Sequence, residues 1–280
     1  THLARATGVE WSTFLEWSTL LDPKNVDAWV ALAETYLKSD LTVALELYQR
    51  ACDIRPDEPR ALGGIVLCKI MNVRSLDFVR PMRSQLKDAI ACCLERARAG
   101  VYLPQARYDM ALFYLLLGDP WTSLTHLALA VRLSPSPSVI KDFLDKVLQL
   151  NRALATSGGG RGHVLPELDW LRRFLLLACV TKTQQVLAEE RAALEQAVKA
   201  DATEKDSILA DEARQTCEKA RQEMARWEEM LRALSPELDK LKTPDARGDE
   251  APLGKPGDRF PQAANRALLG PVVHEFRALD

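Results

Sequence analysis

Along residues 9–21, VEWSTFLEWSTLL, the positions Trp11, Phe14, Leu15, Ser18 and Leu21 recur every three or four residues, the period of one face of an α-helix. The run stops at Asp22-Pro23, a turn signal. Apolar periodicity resumes in 26–38, breaks at Ser39-Asp40, and resumes in 42–54 before Pro56. Two short helices joined by a tight turn are predicted. Small Ala44 and Ala51 let the two helices approach closely, and Tyr48 fills the seam toward whatever follows.

The same order of residues returns twice. Leu62, Ile65, Val66 and Lys69 stand where Trp29, Leu32, Ala33 and Tyr36 stand in the first pair. A second helix over 85–99 places Ile90, Leu94 and Ala97 where Ala44, Tyr48 and Ala51 stood. Between them, around 72–84, MNVRSLDFVRPMR is too long for a tight turn and reads as an insertion, either a partner contact or an extended turn. The third copy covers 104–137. Met110, Ala111 and Tyr114 lead, with Arg107 in the place of Trp, and Gly118-Asp119 turns the chain, the glycine supplying a left-handed helix stop. Ser123, Leu127, Ala130 and Pro135 complete it. Ser136 is an N-cap candidate with Pro137 in the first turn of a further helix over 139–155, placed to cover the last apolar face.

The order Trp29, Leu32, Ala33, Tyr36, then Ala44, Tyr48, Ala51, then Pro56 resembles the tetratricopeptide (TPR) repeat, W-x2-L-G-x2-Y, A-x3-F, P. Ala33 replaces Gly, Tyr48 replaces Phe, and the turn is one residue short. Pro56 to Pro135 is the length of two such repeats of ~34 residues plus about eleven more. The resemblance implies an all-α fold: a TPR-like helical-hairpin solenoid, with 1–22 holding the second helix of an incomplete repeat and the array running over 23–155. It also implies a job, binding protein or peptide in the concave face lined by the first helix of each repeat. The positions that hold a carboxylate clamp in some TPR co-chaperones carry Val30, Glu34, Gly64, Gln105 and Asp109 here, which disfavours that use. Repeats two and three instead line the groove with Leu67, Ile70, Met71, Tyr108, Leu112, Leu115 and Leu116. That much apolar surface is expected to be covered by an amphipathic helix, either a partner's or one of this chain's own at 168–180 or 267–279.

Past the array, residues 156–163, TSGGGRGH, read as a linker: three glycines do not stay helical, and no Lys-Ser or Lys-Thr follows to make a phosphate loop. Residues 164–242 turn to Ala, Glu, Lys, Gln and Arg. Leu187, Leu194 and Val198 mark one apolar stripe, and Leu209, Ala213, Cys217, Ala220, Met224, Trp227, Leu231 and Leu234 mark a second. An antiparallel helical hairpin turning near 200–206 is predicted, with an intermolecular coiled coil as the alternative. Residues 243–262 read as a disordered linker and 263–280 as a terminal helix.

The bulk chemistry narrows function by exclusion. A net charge of −2 gives no general pull toward nucleic acid or anionic lipid. The longest nearly unbroken apolar run, 174–180, is far short of a membrane span, and no secretory signal opens the chain, so a cytoplasmic location is expected. The six cysteines include no CxxC and the four histidines no HExxH, so no metal, cofactor or catalytic residue is assigned. Cys179 with His163 would be the nearest thing to a nucleophile pair, but Cys179 sits in an apolar run that disfavours a thiolate. Two functions remain. One is a non-catalytic interaction scaffold. The other is the regulatory segment of a larger signalling or defence enzyme, such as a TPR plus caspase-like protease, an expectation drawn from the missing initiator Met and the half repeat at the start.

Overall fold

The computed structural model describes residues 8–155, 166–203 and 207–242. The predicted linkers at 156–163 and 243–262, the terminal helix at 263–280 and part of the hairpin turn lie outside the described residues. The fold is all-α, and no strand occurs among the described residues. The helices are α1 (Gly8–Leu21), α2 (Val26–Tyr36), α3 (Leu41–Ile54), α4 (Pro59–Val73), α5 (Arg83–Arg98), α6 (Gln105–Leu116), α7 (Pro120–Leu133), α8 (Pro137–Ala155), α9 (Pro166–Thr203) and α10 (Ser207–Lys242). The chain divides into two compact units, Thr1–Leu133 with Asp145–Leu171, and Ser134–Leu144 with Arg172–Asp280. The division falls inside α8 and α9 rather than at the glycine-rich stretch, and α9 continues unbroken through the apolar segment into the polar one.

In the first unit short polar caps set the helix ends. The Asn25 side chain accepts from the Ala28 N–H at 3.1 Å and starts α2. Asp40 accepts from the N–H groups of Thr42 and Val43 and starts α3. Gly118, at φ 83°, ends α6 in the left-handed region, and the next residue, Asp119, accepts from the Thr122 N–H at the start of α7. Such caps satisfy N–H groups that a helix start leaves without internal partners, each worth about 1 kcal/mol.

From α1 to α7 each helix packs on the next, and the first helices of successive pairs also touch, α2 with α4 and α4 with α6. The seams carry the predicted small and aromatic residues: Ala44, Ala51 and Tyr48 in the first pair, and Ser123, Leu127 and Ala130 in the third, are fully enclosed. Tyr48 lies so close to Gly64 that a methyl group there would overlap its ring, so α3 and α4 meet only because Gly64 has no side chain. In the second pair the fully enclosed residues of α5 are Leu86, Ala89 and Cys93, whereas Leu94 and Ala97 are half-exposed. The helix is therefore turned by about one residue from the predicted alignment. The insertion supplies the reason: α4 ends at Arg74 in the left-handed region, a single 3-10 turn follows at Asp77–Val79, and Val79 and Met82 are buried before α5 begins. Lys69 extends over the Phe78 ring, 5.8 Å from its centroid, and folds the insertion back along α4.

In the second unit the Cys179 thiol of α9 donates to the Pro137 carbonyl at the start of α8, at 3.7 Å. Helices α9 and α10 run antiparallel: the Thr183 hydroxyl reaches the Met230 sulfur at 3.5 Å, and Arg191 pairs with Glu228 at 3.3 Å. Leu187, Cys217, Ala220, Trp227 and Leu234 of the predicted stripes are buried. The stripe fades toward the turn, where Val198 is exposed.

Candidate interaction surface

Of the seven residues expected to line an open apolar groove, five are enclosed. Leu67 and Ile70 of α4, and Tyr108, Leu112 and Leu115 of α6, are between 0% and 8% exposed. Met71 and Leu116 alone of the seven are half-exposed. The reason lies in how completely α4 and α6 are surrounded. Along α4, Ala61, Leu62, Gly64, Ile65, Val66, Leu67, Cys68 and Ile70 are all buried, and along α6 every residue from Tyr108 to Phe113 is buried. A helix that is apolar on every side belongs in a core. The segment Asp145–Leu171 belongs to the same compact unit, and Lys146 comes close enough for its charge to act on Asp109.

What the inner side carries instead is a chain of polar contacts between helix pairs. Arg60 of α4 reaches Asp27 at 3.4 Å and Glu34 at 3.3 Å, both on α2. The Tyr102 hydroxyl donates to the other Asp27 oxygen at 3.0 Å from a residue in the left-handed region, while Arg96 lies 5.2 Å above the Tyr102 ring. Asp109 is buried on α6 and accepts from the Gln105 amide at 2.7 Å. Burial pushes its carboxyl up to about 6, against the pull of Lys146, the Gln105 hydrogen bond and Arg60, and with a further push from Glu34. These groups satisfy one another, so the seam binds the helix pairs together and leaves little chemistry for a ligand.

A second polar anchor was not apparent from the sequence. Glu58 precedes Pro59 at the start of α4, but its carboxylate does not cap the helix. It is buried and accepts two bonds from Arg96 of α5, at 2.8 and 2.6 Å, and one from Arg55 at 3.0 Å. Burial alone would raise its pKa; the Arg96 hydrogen bonds and charge, with Arg55, hold it below the ordinary carboxylate range. Arg107, in the place that Trp29 holds in the first pair, donates to His126 at 3.1 Å, and His126 stacks on Tyr114 with ring centroids 5.3 Å apart. Burial, then the Arg107 charge, lowers the His126 pKa and so favours the neutral ring, which can accept this bond.

Among the described residues a group of exposed large apolar side chains lies elsewhere, on α1. One side of this helix is fixed against α2: Leu15 and Thr19 are buried, and the Tyr36 hydroxyl donates to Glu16 at 3.0 Å. The other side presents Phe14, Trp17, Leu20 and Leu21, each between 62% and 81% exposed. The predicted stripe therefore splits. Leu15 faces inward, while Phe14 and Leu21 face water with Trp17. The signal was present in Trp17 and Leu20, apolar residues off the stripe, which make α1 greasy on more sides than α2 can cover. A shallow groove of about 430 Å³ on the α9–α10 hairpin is weaker, since Gln184, Arg191 and Glu195 share its lining with Leu187 and Leu231.

Bond chemistry finds no comparable concentration of groups. Among the described residues no cluster of His, Cys, Asp or Glu is placed to hold a metal ion. The six thiols are free, and burial pushes Cys52 and Cys68 up to about 11, where a thiolate nucleophile is scarce. Among the described residues no helix is long and apolar enough to cross a membrane. No family model matches the chain, and no curated protein matches it significantly.

Proposed function

We propose that this chain is a non-catalytic, TPR-like scaffold that binds protein, and that its binding surface is the outward face of α1. The carrying observation is the contiguous row Phe14, Trp17, Leu20 and Leu21 on a helix whose opposite side is held by Leu15, Thr19 and the Glu16–Tyr36 bond. Four large side chains so exposed present on the order of 500 Å² of apolar surface, the size of patch that in soluble proteins marks a contact site. A helix is a natural complement, because its own i, i+3, i+7 row matches the row on α1. The order of residues from Trp29 to Pro56 and the contacts among α2, α4 and α6 support the TPR-like part of the proposal. The filled interior around Leu112 and Leu115 favours α1 over the inner face as the surface offered to a partner.

The test compares wild type with Phe14→Asp/Trp17→Asp/Leu21→Asp in quantitative affinity capture, with helical content checked by circular dichroism. Loss of one or more captured proteins, or of self-association, from a folded variant is expected. An unchanged set of bound proteins and an unchanged mass would refute α1 as the surface.

A further inference from the structure

We infer that one flank of α5 is a docking surface of its own, a row of cations that takes an acidic helical segment of a partner protein. The inference goes beyond the α1 reading and does not depend on it.

Helix α5 buries Leu86, Ala89, Ile90 and Cys93. Beside that buried face Arg83, Lys87, Ala91, Leu94 and Arg98 fall within about 80° of arc. Arg83, Lys87, Ala91 and Arg98 are exposed, and Leu94 is half-exposed. Arg80, also exposed, stands one turn before the helix, its carbonyl accepting the Arg83 N–H at 3.3 Å. Arg80, Arg83, Lys87 and Arg98 make no ion pair and no side-chain hydrogen bond with any described residue. Asp88 and Glu95, the carboxylates of α5, pair with none of them. Arg96 of the same helix is the contrast, since it is tied to the buried Glu58 by two bonds.

The fold gains nothing from this arrangement. Arg83 and Lys87 stand four residues apart, a spacing at which like charges on a helix repel. They also lie toward the start of α5, where the helix dipole favours carboxylates, and the first turn holds no acidic residue. A local conflict of charge that nothing within the described chain offsets is a mark of a surface kept for binding an anion.

The dimensions and chemistry of the row select the anion. Arg83 and Arg98 are the first and last of the 16 residues of α5, and lie about 22 Å apart along its axis. Nucleic acid is disfavoured, because α5 has no aromatic residue on which a base could stack. An anionic membrane is disfavoured too. None of the large exposed apolar side chains lies on α5. The chain as a whole carries −2, so an extended anionic surface meets repulsion beyond the row. A short acidic helix touches the row and little else. Carboxylates toward its two ends meet the cations, and Ala91 leaves space at the middle for an apolar side chain to reach Leu94.

The experiment measures fluorescence anisotropy of a labelled, Ala-rich helical peptide as long as α5, with Glu clustered near each end and one central Leu. The full chain is expected to bind it, more weakly as salt rises. Arg83→Glu/Lys87→Glu/Arg98→Glu should weaken binding by about tenfold or more, and should instead bind the same peptide with Lys in place of Glu. Lys24→Glu/Lys38→Glu/Arg221→Glu changes net charge equally at exposed positions off the row and should leave binding near wild type. The α1 triple variant should also bind as wild type does. Circular dichroism confirms that each variant is folded. Arg83→Glu alone should raise the melting temperature, because it removes a repulsion and suits the helix dipole. A fall would show that Arg83 serves the fold and would overturn the inference. So would no peptide binding at low salt, or equal losses in the row variant and the off-row variant. Tighter row-dependent binding of single-stranded RNA or of phosphatidylserine vesicles would overturn the acidic helix as occupant.

Discussion

Leu112 and Leu20 are both leucines on helices of the same unit, yet one is enclosed and the other is 75% exposed. Leu112 sits on α6, which is packed by α4, α5 and α7. Leu20 sits on α1, for which α2 is the principal packing neighbour. The two residues differ in the number of neighbours their helices have. The comparison teaches that greasy composition does not locate a binding surface in a stacked-helix protein. The inner helices are apolar because they are core, and among the described residues the exposed apolar side chains gather on a helix packed mainly by one neighbour.

The comparison breaks most directly at the buried end. Leu112→Asp would place an uncompensated carboxylate in the core and should cost about 4 kcal/mol or more, enough to unfold much of the first unit. Urea denaturation followed by circular dichroism measures it. A variant as stable as wild type would mean that the inner face is open after all.

Glu58 is the next largest lever. Glu58→Ala leaves Arg96 and Arg55 without their buried partner and should cost about 3–5 kcal/mol at neutral pH. Because the folded carboxyl is held below its ordinary range, its contribution is present above the ordinary carboxylate pKa near 4 and disappears as pH falls through the lowered value. Denaturation midpoints of variant and wild type should therefore converge in acid.

Asp109 works in the opposite direction. Its folded pKa is raised to about 6, so the folded protein holds the proton more tightly than the unfolded chain does. Stability is lost as pH rises from about 4 to about 6, and the loss is complete above that. Asp109→Asn keeps an oxygen for the Gln105 amide and should raise stability at pH 7 by roughly 2 kcal/mol, while flattening the profile between those limits. Urea midpoints at closely spaced pH values decide this, and an unchanged slope in the variant would contradict a buried, raised Asp109.

The smallest effect is expected at the open end. Leu20→Ser should change folding stability by no more than about 0.5 kcal/mol, because little is buried there to lose. Thermal melts at low protein concentration, where association does not contribute, provide the check. A loss comparable with that of a core leucine would show that α1 is covered within the chain.

Much of the fold was legible along the chain because its causes are local. Asn25, Asp40 and Gly118 start or stop helices through their own side chains or backbone freedom, and they do so near the predicted boundaries. Tyr48, Ala44 and Ala51 occupy the seam their sizes suggest, and the stripe from Cys217 to Leu234 makes one face of a long hairpin. What the order of residues could not decide depends on contacts between distant segments. The one-residue turn of α5 followed from the burial of Val79 and Met82. The pairing of Glu58 with Arg96 joins residues 38 apart in sequence, and that of Tyr102 with Asp27 joins residues 75 apart. The fate of the apolar rows was of the same kind. Periodicity determines which side of a helix is apolar, but burial depends on how many neighbours reach that side, and only the packed structure counts them: among the described residues Leu67, Ile70, Leu112 and Leu115 are enclosed, and Phe14, Trp17, Leu20 and Leu21 are exposed.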